Sequence, residues 1–85
     1  MRRAELKEIL EEHTEESRRY YRQYPCLYRD LMLWEDYLLC VSLRRKQKYR
    51  AAKNGARYDV CRYYGISDKT FYVIRRTLCE LCEDV

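Results

Sequence analysis

The chain has 85 residues, with 18 Lys and Arg against 14 Asp and Glu and a formal net charge of +4, which allows one domain around one modest core and excludes two cores or a large catalytic cleft. Two glycines and one proline punctuate it; an all-β fold needs turn residues at short intervals, so an all-α domain is expected. No apolar run approaches the roughly 20 residues that span a bilayer, and "MRRAELKEILEE" turns acidic where a signal peptide would turn apolar, which predicts a soluble, cytoplasmic protein.

Four helices are expected, the last two forming a C-terminal helix-turn-helix. Over residues 2–24, Leu6, Leu10, His13, Ser17, Tyr20 and Tyr24 recur at spacings of four and three, with Glu and Arg on the other faces. That period predicts one amphipathic N-terminal helix, in which His13 is a partly buried spacer. Pro25 ends it, because its ring pushes the preceding residue out of the α region. A central helix follows over residues 27–53. Its segment "LMLWEDYLLCVSL" is apolar on most of its circumference, as expected of a helix with neighbours on several sides. Gly55 is expected to stop it as a left-handed residue past the helix end.

Residues 56–84 carry the helix-turn-helix pattern. Val60, Cys61 and Tyr64 lie on one face of a short helix, Gly65 permits the positive φ of a tight turn, and Ile66 enters the core after it. Ser67 caps the last helix, with Asp68 in its first turn, and Phe71, Ile74 and Leu78 form its buried face. A helix pair joined by a glycine turn also occurs in bundles that bind no nucleic acid, so the scaffold alone leaves both uses open.

Of the five cysteines, Cys26, Cys40 and Cys61 fall at apolar-face positions, where a thiol acts as a small hydrophobe. An odd count suits a disulfide framework poorly. "CELC", Cys79 to Cys82, lacks a second ligand pair and a βαβ context, so packing is expected there and neither metal nor redox chemistry. No phosphate-cradling glycine loop or nucleophile–base spacing is present, so no catalytic residue and no cofactor is expected and the chain reads as a binding module rather than an enzyme.

Charge favours a polyanionic partner. Residues 1–24 carry six basic and six acidic side chains, whereas 44–76 carry eleven basic against two acidic. Arg44, Arg45, Lys46, Lys48, Arg50, Lys53, Arg57, Arg62, Lys69, Arg75 and Arg76 make up this run, and a merely solvated face would mix its signs as the N-terminal helix does.

The stretch "YGISDKTFYVIRRTLCELCE" resembles the C-terminal helix-turn-helix of small phage transcriptional regulators of the ArpU and RinA type and, more distantly, region 4 of bacterial sigma factors. The shared features are the "GIS" turn, a Thr-aromatic pair, a basic stretch and a Leu-rich end; they cover about the last third of the chain. The resemblance implies a sequence-specific transcription regulator whose recognition helix enters the major groove of double-stranded DNA, with RNA polymerase as a further partner and a nucleoid-associated location. Asp68 departs from the pattern, standing where a basic residue is common, although Asp can accept from cytosine N4.

On this reading Ser67, Asp68, Lys69, Tyr72, Val73 and Arg76 face the groove and Thr70 lies at the boundary as a cap or phosphate contact. Arg44, Arg45, Lys48, Arg50 and Lys53 meet phosphates. A homodimer is left open, because such modules often read two half-sites, although the N-terminal helix is too polar in its middle for a strong zipper. The competing reading is a protein-binding adaptor or inhibitor, such as a phage-encoded host-factor binder, built on the same scaffold.

Overall fold

The computed structural model describes residues 1–46 and 52–85. Among them the chain is all-α, with five helices and no strand: α1 Arg3–Glu11, α2 Glu15–Gln23, α3 Leu27–Lys46, α4 Ala52–Tyr64 and α5 Asp68–Leu81. The expected single helix over 2–24 is therefore two. Glu12 closes α1 with its N–H on Ile9 O, His13 takes a positive φ of 54°, and Thr14 starts α2 by accepting from the Ser17 N–H at 3.3 Å. Two glutamates in the first turn of α2 suit the positive end of its dipole. His13 is accordingly exposed rather than a half-buried spacer. The hydrophobic period crosses the break because Ser17 turns inward, buried, and its hydroxyl donates to Leu10 O, leaving no polar atom stranded.

The central helix also differs from expectation. Described residues of α3 end at Lys46 and Lys53 lies in α4; residues 47–51 of the helix expected over 27–53 lie outside the described residues. Gly55 is not a left-handed stop; it lies inside α4, and Gly65 is the only described glycine with positive φ. The physical reason is a close approach. A Cβ at Gly55 would stand 2.5 Å from the Arg44 guanidinium, which crosses this notch to pair with Asp59 one turn further along α4.

Leu6 and Leu10 of α1, Leu27, Leu31, Leu33 and Trp34 of α3, Val60 and Cys61 of α4, and Phe71, Ile74 and Leu78 of α5 form the core. Trp34, Tyr37 and Phe71 pack ring on ring, with centroids 4.8–5.8 Å apart. Cys61 and Cys82 are buried in this core, whereas Cys26 and Cys79 are exposed; Cys26 precedes α3 rather than lying on its apolar face. No described helix is long and apolar enough to cross a membrane. Arg3 ties the chain ends to α3: its N–H donates to Asp84 at 2.9 Å and its guanidinium to Glu35 at 2.9 Å.

Candidate nucleic-acid interface

The connection between α4 and α5 is three residues long. Gly65 at φ 67° reverses the chain, and the Ile66 N–H returns to Cys61 O at 3.0 Å, closing the end of α4. Ser67 then caps α5: its Oγ accepts from the Thr70 N–H at 3.2 Å and lies 3.1 Å from the Thr70 hydroxyl. The Ser67 side chain is thus used within the helix terminus, and Thr70 beside it is half-buried.

From this fixed start the helical period sets the two faces of α5. Phe71, Ile74 and Leu78 point into the core, while Asp68, Lys69, Tyr72, Val73 and Arg76 are exposed. Val73 is 49% exposed, and one face carries Lys69, Tyr72, Val73 and Arg76 side by side at spacings of one, three and four.

Tyr72 on that face and Asp68 in the first turn are engaged by a residue that the groove-facing set omits. Arg57 on α4 donates through Nη1 to the Tyr72 hydroxyl at 2.7 Å, and its guanidinium carbon lies 5.6 Å from the Tyr72 ring centroid. Its Nε stands 3.5 Å from Asp68 Oδ1, an ion pair without hydrogen-bond geometry. Asp68, the acidic departure in the recognition pattern, therefore has its charge offset by Arg57. The same guanidinium holds Tyr72 in one orientation. The signal for this was present in the sequence, since Arg57 lies in the basic run, but only the crossing of α4 over α5 selects Tyr72 and Asp68 as its partners.

The remaining basic residues divide. Arg45 and Lys53 are exposed at the end of α3 and the start of α4, whereas Arg44 is half-buried against Asp59. Lys48 and Arg50 lie outside the described residues. Lys53, Arg57 and Arg75 converge on one cleft between α3, α4 and α5, with Asn54 beside them. No group of three or more His, Cys, Asp or Glu side chains that could hold a metal ion occurs among the described residues.

Burial pushes the Cys61 thiol above its ordinary pKa, reinforced by the nearby Asp68 carboxylate. The thiol lies beneath the turn, 4.0 Å from Ser67 O. No protein-family model matches the chain, and no curated protein or solved structure matches it.

Proposed function

We infer that the chain is a sequence-specific DNA-binding transcription regulator in which α4 and α5 act as a helix-turn-helix and α5 is the recognition helix. The observation that carries this reading is the outward face of α5. Lys69, Tyr72, Val73 and Arg76 are exposed together on a helix whose opposite side is anchored in the core, and an exposed α-helix of this diameter fits the major groove. The excess of eleven basic over two acidic residues in 44–76 supplies the phosphate attraction. The likeness of the last third to phage regulators and to sigma region 4 adds promoter DNA and RNA polymerase as the partners proposed, with a dimer supplying a second half-site.

Selection of a preferred site from a random duplex library, followed by competition titrations at two salt concentrations, tests this. Lys69→Ala or Arg76→Ala should cost about 1–3 kcal/mol on the preferred site and much less on random duplex. Arg45→Ala should weaken binding to all duplexes alike and lower the salt slope by about one. Absence of any salt-dependent duplex binding would overturn the reading.

A second reading, a protein-binding adaptor, has its own observation. Leu39, Leu43 and Tyr63 are 60, 49 and 83% exposed around a groove between α3 and α4, on residues that a DNA contact through α5 does not use. A pull-down with purified RNA polymerase that survives high salt and is lost in Leu39→Ser/Leu43→Ser, by a chain that shows no salt-dependent duplex binding, would favour it.

A further inference from the structure

The hydrogen-bond polarity of the Tyr72 hydroxyl is fixed by its neighbour on α4. A guanidinium has N–H donors and no acceptor, so the 2.7 Å contact from Arg57 Nη1 occupies a lone pair of the phenol oxygen and keeps the phenol proton away from that side. Asn54 Oδ1, 3.4 Å from the same Nη1, and Asp68 Oδ1, 3.5 Å from Nε, hold the guanidinium in place. The Tyr72 hydroxyl makes no other hydrogen bond among the described residues, and Tyr72 is 45% exposed on the outward face of α5. Its O–H is therefore left to donate outward, and a cation donating to the oxygen polarises that O–H into a stronger donor.

The neighbours of Tyr72 on this face share that polarity. Lys69 and Arg76 are exposed, enter no ion pair among the described residues and carry donors only, and Val73 beside them is apolar. Asp68, the acidic residue of the first turn, has a carboxylate oxygen turned to Arg57 on α4. A face of donors matches a groove edge of acceptors. In the major groove guanine presents two acceptors, N7 and O6, and no donor, whereas cytosine presents a donor, adenine one of each, and thymine one acceptor beside its methyl. We propose that α5 selects guanine, with the Tyr72 hydroxyl as a base-reading donor and Arg57 as the positioning residue that sets its polarity. This rests on α5 being the recognition helix, and it names the base that the helix reads and two residues that choose it.

The test uses the full chain and the duplex that it prefers from a random library. Each guanine of that duplex is replaced in turn by adenine, which exchanges the O6 acceptor for a donor, and by 7-deazaguanine, which lacks N7. At two or more guanines, one replacement or the other should weaken binding by about tenfold. Tyr72→Phe keeps the ring and removes the donor, so the penalty should vanish at one of those guanines and persist at the rest. Arg57→Met should erase the penalty at the same guanine, and joining it to Tyr72→Phe should change discrimination there no further. Affinities are read as the ratio of preferred to random duplex, which cancels the uniform loss of a phosphate-attracting charge. Salt-dependent binding with no preferred site, no penalty for either replacement at any guanine, or full discrimination by Tyr72→Phe overturns the proposal and leaves DNA binding standing. A loss spread evenly over every position in Arg57→Met, with earlier melting, overturns the positioning role of Arg57, while Tyr72→Phe still decides the base. No salt-dependent duplex binding by the unsubstituted chain overturns the recognition helix itself, and this assignment with it.

Discussion

With φ at 67° and nothing within 4 Å of where a Cβ would stand, Gly65 serves the fold through its backbone and not through the space it leaves. Gly65→Ala should therefore cost about 1–2 kcal/mol, the strain of a left-handed L-residue. Gly65→Val should cost more because of its branched Cβ, and Gly65→Asn less. Urea denaturation measures this, and an alanine variant as stable as the parent would show that the turn takes another conformation. Phe71 presents the opposite case, since its worth lies in what it touches. It is 2% exposed and meets Trp34 and Tyr37, so Phe71→Ala should cost about 3–5 kcal/mol, a large part of the stability of so small a domain. Both residues were legible from spacing: glycine between two apolar-periodic runs, then apolar positions six and nine residues on. Arg57 was not, because a basic residue in a basic run carries no mark of the partner it will meet.

At the scale of helices, the break between α1 and α2 was not legible because a period of 3.6 does not reveal its own interruptions. The α1–α2 break preserves the phase of Leu10 and Ser17, and its only local sign is Thr14 followed by Glu15 and Glu16, a cap with an acidic first turn. Gly55 misled in the other direction. Glycine near a basic stretch suggests a helix end, yet here it clears a path for Arg44 across α4. A double-mutant cycle tests this assignment. With Arg44 present, Gly55→Ala should bring little of the roughly 1 kcal/mol that alanine offers in a helix interior; in an Arg44→Ala background it should bring most of it. Equal effects in both backgrounds, read from thermal or urea melts, would show that the guanidinium does not occupy the notch.

Across the whole molecule, hydrogen bonds between distant elements give stability a dependence on pH at both extremes. Tyr64 of α4 donates to the Asp36 carboxylate of α3, and burial followed by this bond pushes its phenol up to about 12 from an ordinary 10.0. The neutral phenol is the form favoured in the folded state, so its contribution is complete below about pH 10 and lost as pH rises through 12. Tyr64→Phe should remove that alkaline dependence, with the last phenolate absorbance step disappearing alongside it. At the acid end, the Arg3 N–H beside Asp84 holds its carboxyl below the ordinary range, reinforced by the Arg3 and Arg2 charges. A depressed carboxyl contributes above its unfolded pKa and ceases to as pH falls through the folded value. Asp84→Asn should flatten the acid limb of a stability–pH profile, and an unchanged limb would show that this contact does not hold in solution.

What the sequence determined by itself is local. Its scarcity of breakers, its apolar spacings and its capping residues specify helices, the Gly65 turn and the buried face of α5, because each depends on neighbours a few residues away along the chain. What the tertiary structure decided is which distant side chains meet. Arg44 with Asp59, Arg57 with Asp68 and Tyr72, Tyr64 with Asp36, and the gathering of Lys53, Arg57 and Arg75 at one cleft depend on how α3, α4 and α5 cross. A helix shows which residues share a face, whereas the partner across that face is set by the packing of a different helix, and no spacing along one chain segment encodes it.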